Sequence, residues 1–329
     1  MEESPFGCHS FASSTVRIMR FLSQTASKQR EDSFIAKEDS RPDDIVIPVM
    51  GPTGSGKSTF IANVLGEDAQ DKPQTSVSLD SCTQVVQHYI VDSATSDNVS
   101  NLSGRRIILV DTPGFDDTGV SDFDILRRVS AWLENSYREG TRVGAVIYIY
   151  PVYPGRYSHN DRSNLKIFSK LCGKNALTRV TLATSRWDEH GDQDLLERRE
   201  ADLQSHWRYM LECGASTGRL GRFNDPDHRY SAATLLKEVV SKAISREQSE
   251  GELAGVILDL QQQVVLQQRE LNQTGAAREL KKKLDSLVKE YESMGDNPVV
   301  RAKARDVVRQ LDNLKISVVG RLKLFLLGN

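Results

Sequence analysis

Residues 51–58 have the types and spacing needed to hold a chain of phosphates. They read GPTGSGKS, which fits the pattern G-x-x-x-x-G-K-[ST] at all eight positions, with an apolar strand before it. Glycines at 51, 54 and 56 let backbone N–H groups turn inward around a phosphate. Lys57 adds a positive charge, and the Ser58 hydroxyl is a ligand for Mg²⁺. The full match favours a nucleoside triphosphate site over a plain glycine-rich turn.

A second candidate group, Asp111, opens the sequence DTPG at the end of an apolar run. A carboxylate there suits Mg²⁺, and Gly114 allows the loop to move with the γ-phosphate. ATP-hydrolysing P-loop proteins often have a glutamate next, whereas Thr112 favours the GTP-hydrolysing branch. Ras-like proteins have a glutamine after D-x-x-G to orient water. Because Phe115 stands there instead, we expect slow hydrolysis unless a partner or a second copy supplies a group.

A third candidate, Asp188, closes the sequence TSRWD after a predicted strand. A carboxylate there can accept hydrogen bonds from guanine N1–H and the exocyclic amine, a donor pair that adenine lacks. The usual pattern is [NT]-K-x-D, and Ser185 and Arg186 replace its first two residues. That departure leaves an ATP-using P-loop phosphotransferase as an alternative, and a surface aspartate as another.

A threonine between the first two motifs should reach Mg²⁺ and the γ-phosphate. Thr83 in SCTQVV is the first choice, and Thr75 is the second. Ser231 and Ala232 fit a further motif of GTP-binding sites, which lies near the guanine O6 atom. The same residues fit the N-cap and first turn of a helix, and this interpretation is favoured.

Strands and helices alternate around these motifs. Strands are predicted at residues 45–50, 83–92, 105–110, 143–150 and 180–184, and helices at 58–66, 122–138, 160–171, 193–213 and 231–244. This order predicts a three-layer α/β domain with a mainly parallel sheet. Ligands bind beyond the carboxyl ends of such strands, where Gly51, Asp111 and Thr184 fall.

Three regions differ in composition. Residues 1–43 are rich in Ser, Thr and charge, which predicts a disordered tail. Residues 44–245 form the predicted α/β domain, and 246–329 carry three heptad-like blocks, predicting a helical or coiled-coil extension. The helices either fold back on the domain or each other, or pair between molecules. The apolar end, 316–329, is interpreted as core-packing, with a membrane- or partner-binding helix as the alternative.

Composition narrows the class of protein. A hydrophobic content of 38% with 27% charged residues is typical of a soluble globular chain. A net charge of -2 gives no reason to expect nucleic acid as a partner. Four widely spaced cysteines and an acidic start without an apolar leader favour a cytoplasmic location, at most peripheral on a membrane.

With these residues in place, the chain resembles the AIG1-type GTPases, a branch related to septins and chloroplast-import GTPases. The resemblance covers about residues 44–245 and depends on GPTGSGKSTFIANVLG, SCTQVV, LVDTPGFDDT and the box GRYSHND. It implies a P-loop G-domain that binds GTP or GDP with Mg²⁺ and pairs with a second copy across the nucleotide.

The resemblance also assigns roles to residues. Those implied at the phosphates and Mg²⁺ are Gly51, Pro52, Thr53, Gly54, Ser55, Gly56, Lys57, Ser58 and Thr59. Thr83 is the implied switch threonine, Asp111 and Gly114 lie at the γ-phosphate, and Asp188 lies at the base. Arg186 is also expected among the nucleotide-binding residues. Ser58, Thr83 and Asp111 are the expected Mg²⁺ ligands.

Arg156, in GRYSHND, is a candidate for a group supplied to a second copy. A structural arginine that pairs with Asp161 or caps a strand end is the favoured interpretation. The C-terminal helices are expected to contact partner proteins. A nucleotide-binding scaffold without turnover is the remaining alternative.

Overall fold

Six strands form the central sheet in the computed structural model. The structure describes residues 32–35, 40–41, 43–67, 69, 71–73, 83–91, 105–117, 119–221, 230–250, 255–294 and 298–315. The strands are β1 (Ile45–Met50), β2 (Gln87–Val91), β3 (Ile107–Asp111), β4 (Val146–Pro151), β5 (Val180–Ser185) and β6 (Ser216–Leu220). Their spatial order is β2-β3-β1-β4-β5-β6. Only the β2–β3 pair is antiparallel among the described strand pairs, which confirms the mainly parallel sheet.

Helices cover both faces of this sheet. They are α1 (Lys57–Leu65), α2 (Asp122–Arg138), α3 (His159–Cys172), α4 (Gln193–Glu212), α5 (Ala232–Glu250), α6 (Gly275–Ser293) and α7 (Pro298–Lys315). Side chains of β1 alternate between two cores, as the period of two along a strand requires. Val46 packs into the core with α2, α3 and α4, whereas Ile45 and Ile47 pack with α1 and α5. The three-layer α/β prediction is confirmed.

Strand β6 was missed by the sequence prediction. Its sequence, STGRL, has one large apolar residue and a glycine, so it lacks the pattern of a buried strand. It exists because it completes the sheet beside β5, with Thr184 paired to Arg219. Pairing with a neighbour overrides weak intrinsic strand preference here.

The first heptad-like block, residues 253–271, is not a continuous helix in its described part, 255–271, so this part of the prediction is wrong. Val256 bonds to the Val143 carbonyl (2.7 Å), and a short helix (Asp259–Gln261) and a π-helical turn (Gln262–Leu266) follow. Leu258 and Leu260 are buried in the main core. Packing against the domain therefore sets the backbone of this segment rather than helical periodicity.

Helices α6 and α7 fold back on the domain. Leu280 and Leu284 of α6 and Leu311 of α7 belong to the same buried core as Phe168 of α3. This is the fold-back alternative rather than the intermolecular coiled coil. None of the helices that the structure describes is long and apolar enough to cross a membrane.

Several predictions lie outside the described residues. These are Thr75, nearly all of the 1–43 tail and the apolar end at 316–329. The described residues all belong to one unit, 32–329. The division of the chain into a tail, a G-domain and an extension stays a prediction.

Candidate nucleotide-binding site

The loop joining β1 to α1 has the backbone of a phosphate cradle. Gly54 and Gly56 have φ angles of +75° and +95°, a region that side chains disfavour. At Gly51 (φ +142°) a Cβ atom would lie 2.1 Å from the Ile149 carbonyl oxygen of β4. Only glycine allows the loop to pass this close to the sheet. The free N–H groups at the start of α1 then suit an anion.

Lys57, the first residue of α1, is buried below this loop. Its Nζ donates to the Pro52 carbonyl at 2.9 Å, so the amine lies inside the loop. Burial lowers the pKa of Lys57 to about 8, although Asp111 and Asp117 act in the opposite direction. A desolvated amine held in this way interacts strongly with a phosphate.

Ser58, Thr83 and Asp111 converge beside Lys57. Ser58 Oγ donates to Asp111 Oδ2 at 2.8 Å, and Thr83 Oγ1 donates to the same oxygen at 3.1 Å. The two hydroxyls are 2.8 Å apart. Burial raises the pKa of Asp111, an effect that Lys57 opposes.

This oxygen cluster fits Mg²⁺. The other carboxylate oxygen, Asp111 Oδ1, is buried and accepts no hydrogen bond within the part of the chain that the structure describes. Buried polar atoms are rarely left in this state without a ligand or water. Mg²⁺ binds through one or two carboxylates, hydroxyls and substrate phosphates, so the donor set has the right chemistry.

The D-T-P-G loop lies directly against the phosphate loop. Thr53 N donates to the Phe115 carbonyl (3.0 Å), and Thr53 Oγ1 donates to the Gly114 carbonyl (3.1 Å). A Cβ atom on Gly114 would lie 2.4 Å from Thr53 N. Thr112 Oγ1 donates to the Val49 carbonyl (2.8 Å) and pins β3 to β1.

The Phe115 side chain is 7% exposed and packs into the core, so it cannot orient water.

Ser185 and Arg186 have a structural use that the sequence analysis missed. Ser185 Oγ donates to the Ser55 carbonyl at 2.7 Å, and Arg186 Nη2 donates to the Gly54 carbonyl at 2.7 Å. Arg186 adopts a left-handed backbone conformation, φ +67°, which is costly for a non-glycine residue. The end of β5 is thereby tied to the phosphate loop, and Asp188 is exposed two residues later.

Arg156 is exposed between β4 and α3. Asp161 Oδ2 accepts from Ser158 N (2.7 Å) and Ser158 Oγ (2.6 Å) in the capping box that begins α3. The carboxylate proposed as a structural partner of Arg156 is therefore used by the helix cap.

Ser231 likewise caps α5 by accepting from Thr234 N at 3.1 Å, as the favoured interpretation predicted. The structure thus gathers Ser58, Thr83 and Asp111 at the phosphate loop, and the roles of all site residues stay predictions.

A buried lysine in α6 connects to the D-T-P-G loop, and the sequence analysis missed it. Lys283 Nζ donates to Asp116 Oδ1 (2.5 Å), Asp122 Oδ2 (2.6 Å) and Asn164 Oδ1 (2.8 Å). Burial lowers the pKa of Lys283, but Asp122 and Asp116 outweigh it and the net shift is upward. One signal was in the sequence, because Lys283 lies on the apolar face of its heptad block, next to Leu284.

A family model described as the AIG1 family matches residues 45–252. Toc33 from Arabidopsis thaliana with Mg²⁺ and GMPPNP has 14% identity and a TM-score of 0.47 over 71% of this chain and 94% of that chain. Toc33 with GDP and Mg²⁺ has 15% identity and a TM-score of 0.46 over 71% and 93%. A bacterial selenocysteine-specific elongation factor, EF-Sec, has 15% identity and a TM-score of 0.39 over 61% and 29%.

Identities near 15% with TM-scores below 0.5 carry no functional argument, so the assignment depends on the family model. That match spans more than half of the 329 residues. It contains the phosphate loop, the D-T-P-G loop and the Asp188 loop on a P-loop GTPase fold. This protein is a member of the AIG1 family.

Proposed function

We propose that this protein binds GTP with Mg²⁺, hydrolyses it slowly and changes state with the bound nucleotide. The observation that carries the proposal is the convergence of Ser58, Thr83 and Asp111 beside the buried Lys57. A hydroxyl–carboxylate cluster next to a desolvated amine, under a loop of inward N–H groups, suits a triphosphate.

Each group has a distinct role in the proposal. Loop N–H groups and Lys57 hold the β- and γ-phosphates, and Ser58, Thr83 and Asp111 hold the metal. Bound Mg²⁺ would neutralise charge on the phosphates. The Asp188 carboxylate accepts from guanine N1–H and the amine, and adenine would present an unprotonated nitrogen there instead.

Turnover needs a group that this chain does not place at the usual position. Phe115 replaces the water-orienting glutamine, and its ring is packed in the core. We therefore assign a low intrinsic rate, with a second copy completing the site across the nucleotide. The exposed Arg156 is the candidate group. A scaffold that binds nucleotide without turnover is the second candidate function, and the buried Phe115 ring favours it.

We also propose that the C-terminal helices respond to the bound nucleotide. Gly114 lies beside the phosphate loop, and Asp116, two residues later, bonds to Lys283 of α6. A movement of the D-T-P-G loop on loss of the γ-phosphate would pull on this contact. We assign α6 and α7 the role of presenting the nucleotide state to partner proteins.

Titration with fluorescent GTP tests nucleotide recognition. Lys57→Ala should abolish binding, and Asp188→Ala should weaken it about 100-fold or more, since two charge-assisted hydrogen bonds are lost. Lys72→Ala and Asp194→Ala, which change an exposed lysine and an exposed aspartate, are the matched controls and should bind like the unaltered chain. Circular dichroism checks that each variant is folded.

The outcomes separate the alternatives. Unchanged GTP affinity in folded Lys57→Ala contradicts a nucleotide site at the phosphate loop. If ATP displaces labelled GTP as well as unlabelled GTP does, the ATP-using phosphotransferase is favoured instead.

A further inference from the structure

Five polar and aromatic side chains form a cluster behind the Asp188 loop, outside the phosphate site. Thr184 lies in β5 one residue before its end, Trp187 follows that strand, Glu200 belongs to α4, Arg219 to β6, and Tyr230 precedes α5. No motif in the sequence marks Glu200 or Arg219. Their contacts nevertheless converge on the segment that carries the proposed guanine reader.

Glu200 and Arg219 form the ion pair at the centre of this cluster. Arg219 Nε donates to Glu200 Oε1 (3.1 Å) and Oε2 (3.0 Å), and Arg219 Nη2 also contacts Oε2. Thr184 Oγ1 donates to Glu200 Oε1 at 2.9 Å. The Glu200 side chain is 8% exposed. A carboxylate this buried needs hydrogen-bond donors, and Arg219 supplies them. Glu200 therefore holds the Arg219 guanidinium in one orientation.

The oriented guanidinium in turn fixes Trp187. The Arg219 Cζ atom lies 4.0 Å from the centre of the indole ring, a stacked cation–π contact. The indole N–H donates to Thr184 Oγ1 at 2.9 Å. Trp187 is 2% exposed and packs with Val152 and Leu196. Both the face and the edge of the ring therefore have defined partners.

Arg219 also reaches the second segment at this end of the sheet. Its Nη1 donates to Tyr230 Oη at 3.1 Å. Gly221 N donates to the Tyr230 carbonyl at 2.9 Å, which brings together the two ends of the β6–α5 connection. Asp188 directly follows Trp187, and Ser231 directly follows Tyr230. Through the Trp187 ring and the Tyr230 hydroxyl, one guanidinium thus contacts both the segment that carries Asp188 and the segment that leads into α5.

We propose that Arg219, oriented by Glu200, is a positioning residue for guanine recognition that holds Trp187 and so places the Asp188 carboxylate against the base. This inference rests on the proposed function. Discrimination between guanine and adenine depends on carboxylate placement, because misplaced hydrogen-bond partners lose most of their selectivity. The phosphate loop is anchored separately through Ser185 and Arg186, so losing Arg219 should spare triphosphate affinity.

Two variants test the proposal in the full chain. Arg219→Lys keeps the charge but loses the planar fork and the stacking face. Trp187→Phe keeps an aromatic ring and loses the N–H donor. Arg208→Lys, at an exposed position on α4, is the matched control. Affinities for GTP, ITP and ATP are measured for each, with thermal unfolding recorded in parallel.

Arg219→Lys should lower GTP affinity about tenfold while ATP affinity stays unchanged. The loss for ITP, which lacks the exocyclic amine, should be smaller than the loss for GTP. Trp187→Phe should lower the GTP-to-ATP affinity ratio in the same direction. A purely structural role would lower the melting temperature and leave that ratio unchanged.

Two results contradict the proposal. One is an unchanged GTP-to-ATP affinity ratio in Arg219→Lys, whether both affinities stay the same or fall equally. The other, where that variant does not fold, is an unchanged ratio in Trp187→Phe. Failure of the proposed function looks different. In that case the unaltered chain shows no GTP preference, or Asp188→Ala leaves its preference intact.

Discussion

Gly114 shows how tightly single residues constrain the nucleotide site. Its backbone lies against Thr53, and an added Cβ would lie 2.4 Å from Thr53 N and 2.7 Å from Thr53 Oγ1. Neither atom can give way without breaking the hydrogen bonds that join the two loops. The glycine is therefore required by the close approach of the D-T-P-G loop to the phosphate loop.

Gly114→Ala should weaken binding of a non-hydrolysable GTP analogue more than binding of GDP. The methyl group forces the D-T-P-G loop away from the phosphate loop, at a cost of about 1–3 kcal/mol. Gly119→Ala, in the same loop, is the matched control, because the nearest atoms to its added Cβ lie at 3.5 Å. Equal affinities of Gly114→Ala and the unaltered chain for the analogue would contradict the proposed γ-phosphate contact.

At the scale of elements, Lys283 gives α6 a specific place on the domain. Leucines alone would let the helix slide or rotate at modest cost, whereas a buried ammonium with three oxygen partners permits one register. Its side chain is 1% exposed, and its partners are Asp116, in the loop between β3 and α2, and Asp122, the first residue of α2. Burying the ammonium is tolerable only because these acceptors are present.

Lys283→Met should destabilise the fold by about 3 kcal/mol, since it leaves Asp122 buried without its counter-ion. Lys282→Met is the matched control, because that neighbouring side chain is 72% exposed and forms a surface pair with Glu279. Surface pairs of this kind contribute little. Denaturant unfolding of both variants measures the difference, and equal midpoints would contradict the role of Lys283.

The same contact predicts a response to nucleotide in α6. Hydrogen exchange of α6 should differ between the states with GTP analogue and with GDP, and Asp116→Asn should reduce that difference. This milder variant keeps an oxygen acceptor for Lys283, and the Asp116 side chain is 35% exposed. If the difference in α6 hydrogen exchange is as large in Asp116→Asn as in the unaltered chain, the proposed coupling between the loop and α6 is contradicted.

At the scale of the whole molecule, the question is whether one chain completes its own catalytic site. In the described part of the chain, the Phe115 ring lies in the core. Arg156 is exposed and is not among the described residues that contact the phosphate loop. A group supplied by a partner raises GTP hydrolysis by roughly 10³–10⁵-fold in other P-loop GTPases. Pairing would therefore appear as a rate that depends on protein concentration.

Phosphate release per molecule should rise with protein concentration and then level off as dimers saturate. Arg156→Ala should lower the plateau at least about tenfold, while Arg162→Ala, an exposed arginine on α3, should leave it unchanged. A rate per molecule that is constant over the concentration range would contradict assistance by a second copy. No release at any concentration would favour the scaffold without turnover.

Much of the fold was predictable from short-range patterns. Apolar runs predicted the buried strands β1, β3 and β4, because both faces of a parallel sheet are covered. Helix α2 was predicted at its observed bounds, since Ser121 caps it and apolar residues recur at helical spacing. The exceptions were β6 and the 253–271 block, where neighbours in space outweighed local preference.

Local sequence alone specifies the phosphate loop, the D-T-P-G loop and the strand that precedes Asp188. These segments can be recognised from short stretches of sequence. Phosphate binding, for example, needs glycines, a lysine and a hydroxyl at fixed spacing within one loop. Tertiary structure decided which distant groups support them. Asp116 and Lys283 are 167 residues apart, and Glu200 and Arg219 are on different elements. Such pairs depend on how helices and strands pack, and no local pattern specifies that packing.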